Sequence, residues 1–580
     1  MIGRGALWLT GHRRVKQHRT TSGTLGKAVG IRLSSERIKS TFGGRFGRID
    51  RLGLTGAMAQ VVARTATGAA PRRMTGLGVE LAKIAVGKSS VAPAPRDWRF
   101  KNKAWEQNPA FRRLCQTYLA WSQTTNDLVD DAHLDWRTEE RAKLATGLLT
   151  SALAPTNNPL LNPDALERAF QTKGRSIASG IGNISKDITT NKGLPRSSDR
   201  ETYVVGENIA VTPGAVVYRS EVLELIQYSP TTESVFDTPM VLVPPQINKY
   251  YFMDMAPGRS FVEFAVAQGI QMFVISWRNP TNEHRHWTLD TYVEGVEGAV
   301  RAACEIAGTE RANTVSLCAG GITTAALLAH LAATRQSLID SATFAVTLLD
   351  FSVPTMIGMF GSPSVVRNAM RSSRKSGTMG GIDATWLFAM LRPNDLIWNY
   401  WVRNNLLGER PAPFDVLAWN ADSTRLPAGL HEDFLQMFLN NSLAAGDFKV
   451  FGSRVDLGEV ENDTFVVAAE NDHLTAWRAC YAATQLFGGK SEFALSSSGH
   501  IQSLVNPPGN PKMTVTTGPA PGPDPDQWLA DATSQTGSWW ETWADWASVR
   551  SGCRRPAPTS LGCPRHRAQQ SAPGTYVHAR

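Results

Sequence analysis

Apolar residues recur at three- and four-residue intervals through Pro109–Trp121 and Thr138–Leu153, the spacing that lines one face of a helix. Residues 96–235 therefore read as a mainly helical domain, with strand-like segments towards their end. Beyond 235 the pattern changes, and short apolar runs alternate with helical stretches. Val241–Val243 precedes Gly258–Gln268, Met272–Ile275 precedes Trp287–Ile306, Thr314–Leu317 precedes Ile322–Thr334, and Phe344–Leu349 follows. Buried strands separated by helices predict an α/β fold with a parallel sheet covered on both faces. The alternation stops after Leu349. Phe351 to Leu443 is rich in Met and aromatic residues (Trp386, Phe388, Trp398, Tyr400, Trp401, Phe434) without a clear strand, and reads as a cap inserted at about 351–443. Strands resume at Phe465–Ala468 and Phe493–Leu495. Pro507–Pro525 reads as a loop and Trp528–Trp546 as an amphipathic helix. The predicted organisation is thus an extension (1–95), a helical domain (96–235) and a sheet-containing domain (236–580) ending in a tail at about 550–580.

Charge sharpens the picture at the two ends. The net charge of +9 is unevenly placed. The first 50 residues are strongly basic, with Glu36 and Asp50 their only acids, and 550–580 hold no acid at all, while the body between them is mildly acidic. Both ends read as flexible, solvated arms, with Met58 and Met74 as alternative starts. A nucleic-acid enzyme would carry its basic surface on the folded body, so no nucleic-acid partner is expected. No window reaches the roughly 18 consecutive apolar residues of a membrane span, and Ala6–Leu9 is too short for a signal-peptide core, so a cytoplasmic protein is expected. The six cysteines lack framework spacing, which fits a reducing compartment. Cys553, Cys563 and His566 fall short of a metal-site pattern, having no second tight pair, and no metal is expected.

The sharpest chemical signal is Thr314-Val315-Ser316-Leu317-Cys318-Ala319-Gly320-Gly321. An apolar strand running into two glycines and a helix has the form of a nucleophile elbow, with Cys318 where a serine usually stands. Such a turn lifts the side chain clear of the sheet, and the helix N-terminus favours thiolate over thiol. The backbone N–H of Ala319 would supply half of an oxyanion hole, and the loop after Val243, around Gln246 and Ile247, the other half. In this fold the acid and base follow the nucleophile along the chain, on loops after late strands. Asp472 follows the strand at 464–469, and His500 follows the strand at 493–497. His473 is the rival base, but an imidazole next in sequence to the acid is poorly placed for that carboxylate to hold it. His284, His286, His330 and His431 have no comparable context.

Longer motifs extend the picture. Gly206-Glu207-Asn208-Ile209-Ala210, Thr212–Arg219, Glu224–Tyr228, Val243-Pro244-Pro245-Gln246-Ile247-Asn248-Lys249-Tyr250-Tyr251, Ser276–Pro280, Trp419–Thr424 and Gly499-His500-Ile501 before Asn506-Pro507-Pro508 closely resemble polyhydroxyalkanoate synthases, most like the short-chain class I. The resemblance runs from about Trp98 to Tyr576 and leaves residues 1–95 uncovered. It implies an α/β-hydrolase fold with a cap, and an acyltransferase that polymerises (R)-3-hydroxyacyl-CoA into polyester with release of CoA. It places the nucleophile on Cys318, the acid on Asp472 and the base on His500. It further implies a homodimer associated with its growing polyester chain and the granule surface, needing no cofactor. The chain departs from the family at Ser316, where glycine is usual, and at Ala476, where proline is usual. A cysteine-triad thioesterase or simple acyltransferase of the same fold, and a non-catalytic granule scaffold, are the rival readings.

Overall fold

The computed structural model describes residues 52–579, except for the side chains of 382–384. The basic stretch before residue 52 lies outside the described residues. The helical part begins earlier than the sequence pattern predicts, with α1 (Leu54–Thr65) and α2 (Ala69–Ala85), followed by α3 (Pro109–Asp130), α4 (Trp136–Ala152), α5 (Pro163–Gln171) and α6 (Arg175–Thr190). Local chemistry sets three of their starts. Asn108 and Asn162 accept backbone N–H bonds ahead of a proline at the first helical position of α3 and α5, and Asp135 caps α4. Helices α1 and α2 fall where a flexible extension is expected. They are held instead by a narrow apolar stripe: Ala57 and Val61 pack with Val129, Leu134 and Ala142, and Leu77 and Ile84 pack with Ala120.

The sheet has ten strands: β1 (Gly214–Arg219), β2 (Leu223–Tyr228), β3 (Met240–Val243), β4 (Met272–Trp277), β5 (Ala312–Leu317), β6 (Ile339–Ala345), β7 (Asp463–Ala469), β8 (Ser491–Ser496), β9 (Thr514–Thr517) and β10 (Thr533–Thr536). Their spatial order is β1-β2-β4-β3-β5-β6-β7-β8-β9-β10. Strands β3 to β8 run parallel, and an antiparallel pair closes each end. Alternate residues of each parallel strand serve opposite faces, as two core clusters show: Val241, Val243, Phe273 and Ile275 lie in one, Met240, Leu242, Met272 and Val274 in the other. The sheet begins before residue 236, since β1 and β2 belong to it.

Several sequence expectations shift. The strand predicted at Phe344–Leu349 ends at Ala345, where Val346 takes a positive φ of 47° and turns the chain. The predicted loop at 507–525 contains β9, and the single helix predicted at 528–546 is a short helix at Pro525–Asp531, the strand β10 and a Trp-rich helix at Trp539–Val549. Strands β9 and β10 are polar strands at one end of the sheet, and pairing rather than composition holds them. The C-terminal stretch is no free arm. Arg554–Pro556 pairs with Ser234–Phe236, Ser571 bridges to Ala215, and the buried Glu224 carboxylate accepts the N–H groups of Thr575 and Tyr576 at 2.9 Å each.

The chain leaves the sheet at Ala345 and returns at Asp463, and the cap lies between. It contains helices at Pro363–Ser376 and Ala428–Asn440 and two paired two-residue strands at Thr378–Met379 and Leu426–Pro427. The N-terminal helices fasten onto this cap: Arg141 donates to the Met359 carbonyl, Asn183 to the carbonyls of Asn404 and Glu409, and Trp401 to that of Asn157. Among the described residues no helix is long and apolar enough to cross a membrane.

Candidate active site

Strand β5 ends at Leu317, and Cys318 follows with φ 49° and ψ −121°, outside the regions where a non-glycine residue rests comfortably. The turn is held from both sides. Cys318 N–H donates to the Ala345 carbonyl at 3.0 Å, and its own carbonyl accepts Gly321 N–H at 2.9 Å and the Thr347 hydroxyl at 3.2 Å. Helix α7 (Ala319–Ala333) starts immediately. Its two glycines are required by close approach: a β-carbon at Gly320 would meet the carbonyl oxygens of Val243 and Pro244, and one at Gly321 the Thr347 side chain. The loop after β3 is thereby pressed against the first turn of α7. Gln246 Nε2 donates to Thr323 Oγ1 at 2.8 Å, and Thr424 of the cap donates its hydroxyl to the Gln246 carbonyl at 2.6 Å and its N–H to the Ile247 carbonyl at 3.2 Å. Among the described residues, no hydrogen bond claims the N–H of Ala319 or of Ile247.

Strands β7 and β8 pair in parallel, so the loops after them emerge side by side. Glu470 N–H donates to the Ser496 carbonyl at 2.8 Å and Asn471 N–H to that of Ser498 at 2.9 Å. Asp472 from one loop then meets His500 from the other, with His500 Nδ1 2.6 Å from Asp472 Oδ2. Cys318 lies close enough to His500 to act on the charge of the imidazole. The structure thus brings Cys318, His500 and Asp472 together, and His500 rather than His473 is the imidazole on the carboxylate. His473 is pushed below the usual histidine range by burial and by Arg392 of the cap, and its buried Nδ1 has no partner among the described residues.

The electrostatics follow from the packing. Burial opposes charge on His500, but the Asp472 carboxylate and Cys318 outweigh it and raise the imidazole to about 10. Burial likewise opposes charge on Asp472, yet His500 and the hydrogen bonds from Thr475 hold it below the usual carboxylate range. Cys318 is partly exposed, whereas Cys115, Cys304 and Cys480 are buried, and burial raises their thiols to about 12, to about 11 and well above the usual value. Cys563 and Cys553 gather no metal set: His566 Nε2 pairs with Glu305 at 2.8 Å, and among the described residues no group of three ligands converges.

Sequence reasoning missed Thr475. Its N–H and that of Leu474 donate to Asp472 Oδ1 at 3.0 and 2.8 Å, and its hydroxyl to Oδ2 at 2.6 Å. The signal available was the spacing Asp-x-x-Thr, in which a carboxylate accepts backbone N–H groups two and three residues on.

The mostly parallel sheet, the cysteine on a strained strand-to-helix turn and the acid and base on neighbouring late loops define an enzyme of the α/β-hydrolase fold. A family description reading "alpha/beta hydrolase fold" matches residues 248–507, and one reading "Poly-beta-hydroxybutyrate polymerase (PhaC) N-terminus" matches residues 96–265. The chain is 44% identical over 504 residues to poly(3-hydroxyalkanoate) polymerase 1 of Ectopseudomonas oleovorans, covering 87% of this chain and 90% of that one. It is 36% identical over 507 residues to the poly(3-hydroxyalkanoate) polymerase subunit PhaC of Cupriavidus necator, covering 86% and 85%. The chain belongs to the poly(3-hydroxyalkanoate) polymerase family.

Proposed function

We propose that the chain polymerises (R)-3-hydroxyacyl-CoA into polyester with release of CoA, carrying the acyl group on Cys318. The observation that carries this reading is Cys318 on its strained turn, beside an imidazole that Asp472 holds at 2.6 Å. His500 takes the proton from Cys318, and the Asp472 carboxylate stabilises the imidazolium that forms. Cys318 Sγ attacks the thioester carbonyl, and the N–H groups of Ala319 and Ile247 receive the developing oxyanion. Collapse expels the CoA thiolate, which takes the proton from His500. One thioester has replaced another, so the acyl group stays reactive. Neutral His500 then removes the proton from the 3-hydroxyl of another hydroxyacyl unit, whose oxygen attacks the acyl-cysteine. An ester forms, and the departing Cys318 sulfur takes back the proton from His500, which restores the starting state. The cap limits hydrolysis by keeping water from the intermediate. Its residues Arg392 and Asp395 lie close enough to His473 to act on its charge. In the same reading the enzyme works in the cytoplasm as a homodimer at the surface of the polyester granule.

A saturated acyl-CoA of similar length, lacking the 3-hydroxyl, tests the covalent step. It should release about one CoA per active site and stall, with the label on Cys318 by mass spectrometry. Steady turnover to free acid would identify a thioesterase instead, and a label on Cys304 or Cys480 would overturn the nucleophile. With the true substrate, His500→Ala should abolish CoA release while His473→Ala keeps most of it; the reverse ranking in folded variants would sink the base assignment.

A further inference from the structure

We propose that Thr475 is a positioning residue for this reaction: its hydroxyl shares Asp472 Oδ2 with His500 and so sets how strongly the carboxylate holds the imidazole. The proposal rests on the reading of Cys318, His500 and Asp472 given above. Thr475 Oγ1 lies 2.6 Å from Asp472 Oδ2, His500 Nδ1 lies 2.6 Å from the same oxygen, and Oγ1 and Nδ1 are 3.2 Å apart. A hydroxyl has one proton to give, and a carboxylate oxygen at that distance takes it. Nδ1 must then carry its own proton and donate it to Oδ2, which leaves Nε2 as the nitrogen facing Cys318 chemistry. Asp472 Oδ1 is already occupied by the N–H groups of Leu474 and Thr475, so Oδ2 alone speaks to the imidazole.

The hydroxyl has an electrostatic consequence as well. By donating to Oδ2 it disperses the charge there and weakens the pull on the imidazolium, keeping His500 acidic enough to protonate the departing CoA thiolate. All three side chains are buried, at 3%, 7% and 9% relative exposure for Thr475, Asp472 and His500, so bulk water does not substitute for the hydroxyl. The titratable groups that act on this pair are Cys318 from the elbow, His473 from the acid loop and Cys480 from the helix after it. Cys480 also donates its thiol to the Thr475 carbonyl at 3.6 Å and steadies the residue.

The test uses the full chain and follows iodoacetamide alkylation of Cys318 against pH, alongside steady-state CoA release. Alkylation should rise in two limbs, the upper one as His500 loses its proton, and His500→Ala should leave a single limb, that of a lone thiol. Thr475→Val keeps the shape and the backbone bond but not the hydroxyl. It should move the upper limb to higher pH by about half a unit or more and lower kcat about tenfold with KM changed by less than about twofold. Thr475→Ser should restore both. Should the valine variant fail to fold, Thr475→Ala must give the same shift. An unmoved limb in a folded variant, or no rescue by serine, would overturn the positioning role while leaving His500 as the base. Persistence of two limbs in His500→Ala would overturn the underlying reading and this proposal with it.

Discussion

Ser316 lies fully buried on β5, two residues before Cys318, and its hydroxyl donates to Thr324 Oγ1 on α7 at 2.8 Å. The departure from the family's glycine is therefore absorbed, because the added atoms find a partner on the helix that follows the turn. Ser316→Gly should keep the rate of CoA release per folded molecule but cost about 1 kcal/mol of stability, seen as a lower Tm, because the Thr324 hydroxyl loses its partner and a strand gains a glycine. The titrating pair makes a second prediction. The His500 pKa, raised from 6.5 to about 10, lends stability that is complete below 6.5 and fades as pH rises through about 10. Asp472, held below 3.8, lends stability that is complete above 3.8 and fades as pH falls through its lowered value. The stability difference between the natural chain and His500→Ala, measured by denaturant unfolding, should therefore be flat from above the Asp472 titration up to pH 6.5 and shrink from pH 6.5 to 10. Growth of the difference over that range would mean that the neutral imidazole is the favoured form.

At the scale of elements, the turn into α7 and the turn into the helix at Trp477–Ala482 differ in how much their residues can change. Gly320→Ala and Gly321→Ala would force α7 away from the loop after β3 and from Thr347, and each should cost about 1–3 kcal/mol and lower the rate of Cys318 alkylation. Ala476 is more tolerant. It caps the later helix with φ −49°, close to the value proline fixes, and among the described residues its N–H makes no hydrogen bond. Ala476→Pro, which brings back the family's usual residue, should raise stability by about 0.4–1 kcal/mol, measured by thermal unfolding. The strand-to-helix form of Thr314–Gly321 is legible in the sequence because a period-two apolar run, two glycines and a small-residue helix are all local signals. The atoms that make both glycines necessary come from Val243, Pro244 and Thr347, and no local pattern names them. Strands β9 and β10 were illegible for a related reason: they are polar and set among prolines and glycines, and only pairing with each other and with β8 makes them strands.

At the scale of the whole molecule, both ends of the described chain are built into it. Cutting after Val549 would strip the fully buried Glu224 of its Thr575 and Tyr576 donors and unpair Ser234–Phe236. Loss of partners around a buried carboxylate costs about 3–5 kcal/mol, so this truncation should give little soluble protein, and full solubility with an unchanged Tm would refute the account. The sequence by itself determined the order of helices and strands through the parallel sheet, the break in that order at the cap, and the spacing of Cys318, Asp472 and His500, because these follow from periodicity and turn chemistry within short windows. Only the tertiary structure decided that the loops after β7 and β8 stand side by side, that Thr475 completes the carboxylate's partners, that the N-terminal helices sit on the cap, and that the C-terminal stretch seals the β1 edge. Each of these joins residues far apart in the chain, or depends on which way a side chain turns once they are joined. Their stabilisation comes from burial and hydrogen bonds that exist only after the chain has folded back on itself.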